Sequence, residues 1–275
     1  MNDVVKPKAS AYKSNIKPIW CPGCGHFGVL SAITKALAYL AIAKENVALV
    51  SGIGCSSRIP AYVDVFGFHG IHGRALPVAA GLKVARPDLT VLVAGGDGDG
   101  FSIGGNHFVH ACRRNLDMTY IVMDNEVYGM TKGQASPTTA PDWLKSKLTP
   151  HGTGIPQFNP PAIALASGAG FIAKGFSGDP NKLTQLIVEA IKHPGFAFIQ
   201  VLSPCTTFRP EQKQWKKEVH WQLHEATSEP VEAARRIAAS DGITTGILFR
   251  KEFPPLQAPS AVSHTVEELC QEFIV

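Results

Sequence analysis

The sequence contains little charge and no long apolar run. Of its 275 residues, 17% are Asp, Glu, Lys or Arg, whereas 45% are hydrophobic. A membrane-spanning helix needs about 20 consecutive apolar residues, and no stretch reaches that length. The polar, basic start MNDVVKPKASAYKSNIKPIW also lacks the apolar core of a secretory signal. We therefore expect a cytoplasmic chain without a membrane segment, and the low charge indicates that a partner covers part of its surface.

Basic clusters are missing as well. The formal charge of +4 comes from 26 basic and 22 acidic residues, and no basic run is interleaved with aromatic residues as in proteins that bind single-stranded nucleic acid. This argues against a nucleic-acid partner. Disulfides are rare in the cytoplasm, so the cysteines require an explanation by metal binding, redox chemistry or packing. There are six of them: Cys21, Cys24, Cys55, Cys112, Cys205 and Cys270.

Helical and strand patterns alternate along the first two hundred residues. A helix with one apolar face precedes a short apolar strand at 47–50. The same order recurs in LPVAAGLKVARPDLTVLVAGGDG, in NHFVHACRRNLDMTYIVMDN and in NKLTQLIVEAIKHPGFAFIQVLSPC. This alternation predicts an α/β fold, with a parallel sheet covered by helices on both faces. The first helix has its apolar residues at Val29, Ile33, Ala36, Leu37 and Leu40.

The composition changes towards the end of the chain. We expect one domain over 1–206, interrupted by a long excursion rich in Pro, Thr and Gly at 131–161. Residues 207–275 offer little core of their own apart from a helix near 230–240, so they are interpreted as an extension that contacts a partner subunit.

The turn GGDGDG does not match the common glycine-rich motifs. A calcium loop counted from Asp97 needs glutamate at its twelfth position, which is Phe108. The dinucleotide pattern lacks its third glycine, and a Walker loop lacks its Gly-Lys-Ser/Thr. A simple helix cap remains possible for an isolated turn of this kind.

Position along the sheet favours a metal site instead. Three loops follow predicted strands directly: GIGCSSR, GGDGDG and DNEVYGMTKGQ. Asn125 ends the strand after the one that leads to Asp97, so their polar ends can lie side by side at the carboxyl edge of the sheet. Carboxylate, amide and carbonyl oxygens suit Mg²⁺, and glycines with a helix amino end suit phosphate. The turn is therefore expected to hold a magnesium ion that holds a diphosphate.

Six motifs occur in an order that is typical of one family. WCPGCGH, GIGCSSR, FHGIHGRALPVAAGLK, GGDGDGFSIGGNHF, MDNEVYGMTKGQ and LSPCTTF span roughly residues 15–210. Together they resemble the β subunit of the 2-oxoacid:ferredoxin oxidoreductases. The resemblance implies the fold that binds thiamine diphosphate (the PP domain), and among the members the 2-oxoglutarate enzymes are the most similar.

The resemblance also implies roles for individual residues. Mg²⁺ would be bound by Asp97, Asn125 and the backbone carbonyl of Val127. A [4Fe–4S] cluster would be bound by cysteines of the CPGC, GIGC and SPC motifs. Zinc stays open as an alternative on the residues alone, because four cysteines that include one CxxC suit both metals. The cluster cysteines would be Cys21, Cys24, Cys55 and Cys205, and the thiamine diphosphate would be lined by Gly98, Asp99, Gly129, Met130, Cys55 and His72.

Two basic residues stand where the family places cations against the substrate. Arg58 follows the GIGC cysteine and Lys132 lies beyond Asn125, so both are candidates for binding the carboxylate of a 2-oxoacid. A solvated loop charge is the alternative for each. Cys112 and Cys270 lack ligand spacing and are interpreted as buried or idle thiols.

The implied activity is a reversible, CoA-acylating oxidative decarboxylation of 2-oxoglutarate, with electrons passed through the cluster to ferredoxin. Thiamine enzymes also need a glutamate that activates the aminopyrimidine ring, and Glu126 is excluded because its neighbour Asn125 is committed to the metal. A separate α subunit, or a fused γα chain, would supply that glutamate. The alternatives are a pyruvate or broad 2-oxoacid enzyme, a cluster-free decarboxylase, and a metal-binding structural module.

Overall fold

The computed structural model describes residues 7–146, 148–222, 225–257 and 270–271. Their eight strands form one sheet with the order β2-β1-β3-β4-β6-β5-β8-β7. In chain order the strands are β1 (Val47–Ser51), β2 (Phe66–His69), β3 (Thr90–Gly96), β4 (Met118–Asp124), β5 (Phe171–Phe176), β6 (Phe196–Leu202), β7 (His220–Trp221) and β8 (Thr244–Arg250).

Helices connect most of these strands. Within the described ranges they are α1 (His26–Leu40), α2 (Ile59–Tyr62), α3 (Ala75–Ala85), α4 (Gly105–Arg114), α5 (Pro160–Ala166), α6 (Pro180–Lys192), α7 (Trp215–Glu218) and α8 (Pro230–Ala238). None of the described helices combines the length and the apolar character needed to cross a bilayer.

Strands β1 to β6 run parallel to one another, as the alternating pattern predicts. Because successive strand residues point to opposite faces, the sheet separates two cores. Leu49 packs with α1 and α6 on one face, whereas Val50 packs with α3 and α4 on the other. The predicted α/β fold with helices on both faces is confirmed.

The last strand differs from the expected pattern. β8 pairs antiparallel with β5, with a register shift at Ile172/Ala173, so the segment after 206 completes the main sheet. Phe249 of β8 is 2% exposed and joins the second core. The segment after 206 thus adds a strand to the main sheet and shares its core, and the boundary at 206 stays a prediction. Its contact with a partner subunit stays a prediction.

The long excursion is confirmed up to α5. Among the described residues, no helix or strand lies between β4 and α5. Helix α5 itself was not predicted, although Asn159 caps it by accepting a hydrogen bond from the backbone N–H of Ala162 and prolines occupy its first turn. This arrangement places the excursion against the carboxyl ends of β3 and β4.

Candidate functional site

A cleft of about 440 Å³ opens at the carboxyl ends of β1, β3 and β4. The three loops that follow predicted strands all contribute to its wall, as the sequence predicts for an open parallel sheet. Its lining comprises residues 53–56, 96–99, 125 and 127–131, together with His26, His72, Met123 and Gln134.

The acidic turn is helical from its first aspartate. Residues 97–98 are already helical, and a wide π-helical turn follows at Asp99–Ile103. The amino end that faces the cleft is therefore the one at Asp97 and Gly98, and not the start of α4. A Cβ atom on Gly98 would lie 2.2 Å from the Tyr128 ring, so only glycine allows this turn to pack against the loop after β4.

Two buried carboxylates meet at one hydroxyl behind the cleft. The Thr138 hydroxyl lies 3.0 Å from Asp97 Oδ2 and 2.7 Å from Asp124 Oδ1. Asp97 is 2% and Asp124 1% exposed, and a hydroxyl has a single proton to donate. Burial, and then the charge of Asp124, raises the pKa of Asp97. The pair therefore favours a nearby positive charge.

Sequence reasoning missed this second carboxylate and the hydroxyl that joins it to the turn. Gln200 of β6 donates a 2.6 Å hydrogen bond to Asp124 Oδ2, so the pair is held from the sheet as well. Thr138 lies in the irregular excursion, where no periodicity or motif marks it. Asp124 directly precedes Asn125 in the motif and could have been flagged on position alone.

The loop after β4 brings Asn125 next to Asp97. The backbone N–H of Asn125 points to Asp97 Oδ1 at 3.4 Å, and its side-chain oxygen accepts a 3.1 Å hydrogen bond from the backbone N–H of Val127. Glu126 has a positive φ of 55°, and its carboxylate turns away from the cleft to Arg209 Nη2 at 2.9 Å. Asp97, Asn125 and Val127 thus all line the cleft, with Asn125 in contact with the other two.

Asp99 lines the cleft and also binds the backbone of two neighbouring loops. Its Oδ1 atom accepts hydrogen bonds from the backbone N–H groups of Ile53 at 2.9 Å and Gly73 at 2.7 Å. His72 Nδ1 approaches the same oxygen to 2.8 Å, although its N–H is not aligned for a hydrogen bond. Asp99 therefore ties the GIGC loop and the FHGIHGR loop to the turn.

Four cysteines lie near one another on the side of the cleft that Cys55 lines: Cys21, Cys24, Cys55 and Cys205. A Cβ atom on Gly129 would lie 3.7 Å from Cys55 Sγ and 3.9 Å from Cys205 Sγ. Burial raises the pKa of Cys24 to about 12, and Cys205, Cys55 and Cys21 add to the rise because their thiols are close by. Among the described residues, no group of three or more His, Cys, Asp or Glu side chains is gathered tightly enough for a single metal ion.

The other two cysteines lie elsewhere. Cys112 is fully buried in the second core, and Cys270 is exposed.

His26, which the sequence did not single out, lines the cleft beside the cysteines. Its Nδ1 lies 2.7 Å from Ser203 Oγ, and burial lowers the pKa of its imidazole to about 4. The only sequence signal for it is its place in CPGCGH, directly after the second cysteine.

The two candidate substrate cations do not belong to the lining of the cleft. Arg58 is half-buried at the end of the turn Ser56–Arg58, where its charge opposes the raised pKa of Cys55. Lys132 is exposed and has a positive φ of 77°. Met130, in contrast, lines the cleft and is 42% exposed. The roles of Arg58 and Lys132 stay predictions.

Comparison with known proteins defines the class first. The family model described as "Thiamine pyrophosphate enzyme, C-terminal TPP binding domain" matches residues 52–201. This range contains the GIGC loop, the acidic turn and the loop after β4, so the domain that binds thiamine diphosphate is the one that carries the cleft.

Individual relatives narrow the class. The β subunit of the 2-oxoacid:ferredoxin oxidoreductase 2 of Aeropyrum pernix is 42% identical over 253 residues, covering 86% of this chain and 82% of its own. A 2-oxoglutarate synthase subunit of Archaeoglobus fulgidus is 44% identical over 189 residues, covering 69% of this chain and 70% of its own. The chain belongs to the family of 2-oxoacid:ferredoxin oxidoreductase β subunits.

A solved structure agrees over the whole length. The 2-oxoglutarate:ferredoxin oxidoreductase from Magnetococcus marinus, with 2-oxoglutarate, coenzyme A and succinyl-CoA bound, superposes with a TM-score of 0.91 at 39% identity. The match covers 100% of this chain and 98% of that chain. It therefore includes the segment after 206 as well as the sheet with the cleft.

Proposed function

We propose that the chain is the catalytic β subunit of a 2-oxoglutarate:ferredoxin oxidoreductase that acylates coenzyme A. The observation that carries the proposal is that Asp97 and Asn125 line the same cleft as Cys55, which lies close to Cys21, Cys24 and Cys205. Thiamine diphosphate would supply the chemistry that releases CO₂ from a 2-oxoacid, and a [4Fe–4S] cluster would accept the electrons one at a time.

Mg²⁺ fits the acidic part of the cleft. Asp97, the side-chain oxygen of Asn125 and the carbonyl of Val127 would bind it, since hard oxygen ligands are what Mg²⁺ prefers. The buried negative charge of Asp97 and Asp124 is the feature a divalent cation would neutralise. Gly98 and the amino end of the turn would accept the diphosphate, because they present backbone N–H groups without a side chain.

The [4Fe–4S] cluster fits the cysteines. Cys21, Cys24, Cys55 and Cys205 belong to three separate segments and are not gathered around one point. A cube of four irons distributes its cysteines over different irons, whereas zinc holds four sulfurs about 2.3 Å from a single ion. The neighbouring thiamine diphosphate motif, whose chemistry releases electrons, favours iron–sulfur over zinc.

A partner subunit would complete the site. The carboxylates in the described lining of the cleft are Asp97 and Asp99, and both are engaged at the turn. Glu126 is bound by Arg209 outside the cleft. The activating glutamate would therefore come from an α or fused γα subunit, and the substrate and ferredoxin would be handled by the assembled complex.

Asp97→Asn tests the metal site. The substitution keeps the shape of the side chain and removes the charge, so Mg²⁺-dependent binding of thiamine diphosphate should weaken by more than about tenfold, the smallest loss usual when the surroundings of a bound metal are altered. Titration of the chain with Mg²⁺ and thiamine diphosphate gives the measurement. Asp142→Asn, at an exposed aspartate of the excursion, is the control. Equal affinity of both variants would reject the site.

The substrate and the cluster need separate measurements. Anaerobic purification followed by iron, sulfide and zinc analysis should give four irons per chain, and stoichiometric zinc without iron would favour a cluster-free decarboxylase. Turnover by the assembled complex should be faster with 2-oxoglutarate than with pyruvate. The reverse order would replace 2-oxoglutarate by pyruvate or a broad range of 2-oxoacids.

A further inference from the structure

The segment Arg209–Gln212 contacts both the loop after β4 and the loop that contains Cys205. It lies just after Cys205, at the start of the segment that the sequence predicts to contact a partner subunit. Arg209 is 6% and Gln212 1% exposed, so both polar side chains are buried and both are fully engaged. We call this segment the tail clamp.

Gln212 joins the loop after β4 at 125–131, called the cofactor loop, to the loop after β6 that contains Cys205, called the cysteine loop. Its Nε2 donates a 2.9 Å hydrogen bond to the backbone carbonyl of Asn125, and its Oε1 accepts a 2.9 Å hydrogen bond from the backbone N–H of Cys205. A carbonyl needs a donor and an N–H needs an acceptor, so the orientation of the amide is determined by its partners. No aliphatic side chain could make both bonds.

Arg209 holds the next residue of the cofactor loop. Its guanidinium donates to the backbone carbonyl of Glu126 at 2.9 Å, pairs with the Glu126 carboxylate at 2.9 Å and stacks on the Trp143 ring 4.5 Å away. Glu126 has the left-handed φ of 55°, which costs free energy for a residue other than glycine. The clamp stabilises this turn, which places Asn125 and Val127 on the cleft side.

We propose that the tail clamp sets the relative position of the cofactor loop and the cysteine loop, with Gln212 as the positioning residue that acts on both. Gly129 of the cofactor loop faces the cysteines, since a methyl group there would lie in contact with the thiols of Cys55 and Cys205. Electron transfer depends steeply on distance, so a fixed separation serves the reaction. The inference rests on the proposed function, because it assumes that both centres are loaded.

Gln212→Leu in the assembled complex tests the clamp, with Gln214→Leu as the matched control. Gln214 lies in the same 3₁₀ turn, Pro210–Gln214, but is exposed. Loss of the buried hydrogen bonds should weaken binding of Mg²⁺ and thiamine diphosphate by about tenfold. The same variant should shift the EPR spectrum and midpoint potential of the reduced cluster, because Cys205 loses its N–H partner. Gln214→Leu should leave both unchanged.

If Gln212→Leu fails to fold, Arg209→Lys tests separately the part of the tail clamp that holds the cofactor loop. It keeps the charge but cannot reach the carbonyl and carboxylate of Glu126 together. Cofactor affinity should fall, whereas the EPR spectrum should stay that of the wild type because the Arg209 side chain does not bind the cysteine loop. Equal cofactor affinity and EPR spectra in the Gln212 and Gln214 variants, or wild-type cofactor affinity in Arg209→Lys, would overturn the proposal. A wild-type complex without iron or without cofactor binding would instead reject the proposed function.

Discussion

Gly98 illustrates how one position serves both fold and site. Its φ of −66° is ordinary for any residue, so the requirement for glycine is steric rather than conformational. The ring of Tyr128 occupies the place of a side chain, and the Tyr128 hydroxyl donates a 3.2 Å hydrogen bond to the carbonyl of Gly98. The acidic turn and the loop after β4 are thereby held face to face.

Gly98→Ala should therefore weaken both stability and cofactor binding. The new methyl group displaces Tyr128 from the cleft wall, and overpacking of this kind typically lowers the free energy of unfolding by about 1–3 kcal/mol. Chemical denaturation and titration with Mg²⁺ and thiamine diphosphate measure the two effects. Gly81→Ala is the control, because Gly81 is exposed in α3 with nothing within 4 Å of its Cβ position. It should stabilise the chain by up to about 1 kcal/mol; a matching gain for Gly98→Ala would contradict the steric account.

The raised pKa of the Cys24 thiol leads us to expect that cluster assembly depends on pH. Burial and the neighbouring cysteines raise its pKa to about 12, so the thiol keeps its proton at neutral pH, while a metal binds only the thiolate. Binding of the cluster must therefore release protons from the cysteine thiols, and it should become more favourable as pH rises. Anaerobic reconstitution with iron and sulfide should be more complete at pH 8.5 than at pH 6.5. A yield that is flat across this range would show that proton release from these cysteines does not limit assembly.

The residues of the site divide by how far their partners lie along the chain. Asp97, Asn125 and the four cysteines occur in short motifs, so their chemistry is visible in the sequence. Thr138 and Gln212 act through partners that lie up to 41 and 87 positions away, and neither lies in a motif. Such residues become functional through tertiary contacts alone, which is why sequence reasoning missed them.

At the level of elements, the prediction succeeded where the pattern is local and periodic. The helices α1, α3, α4 and α6 and the strands between them follow from apolar periodicity. Strand β2 was not predicted because all four of its residues are exposed, which leaves no alternation of buried and exposed positions. Strand β8 was not predicted because its partner β5 lies about seventy residues earlier in the chain. Gly246 and a bulge also interrupt its alternation of buried and exposed residues.

Phe249→Ala should show that β8 belongs to the main fold. The ring is buried in the second core, and truncation of a buried phenylalanine typically costs about 3–5 kcal/mol of unfolding free energy. Urea denaturation followed by circular dichroism measures it. Val231→Ala on α8, where the side chain is 75% exposed, should change stability by less than about 0.5 kcal/mol. Two independent unfolding transitions in the wild type would indicate that the segment after 206 folds separately.

At the scale of the molecule, the surface indicates incomplete assembly. Phe66 and Phe68 on the edge strand β2 are 60% and 52% exposed, and Ile71 just beyond them is 74% exposed. An edge strand with exposed aromatic residues is an association site rather than a typical monomer surface. The low proportion of charged residues in the sequence predicts the same property, and the relatives are named as β subunits.

The isolated chain should therefore bind cofactor without turning over substrate. Asp97 and the loop after β4 lie within this chain, so we expect that Mg²⁺-dependent binding of thiamine diphosphate requires no partner. Decarboxylation does, because the described cleft offers no free carboxylate to activate the aminopyrimidine ring: Asp97 and Asp99 are engaged at the turn, and Glu126 pairs with Arg209. CO₂ release from 2-oxoglutarate should be at background with the isolated chain and appear when the partner subunit is added to the same preparation. Turnover by the isolated chain would place the activating acid within its own sequence and remove the reason for a partner at this site.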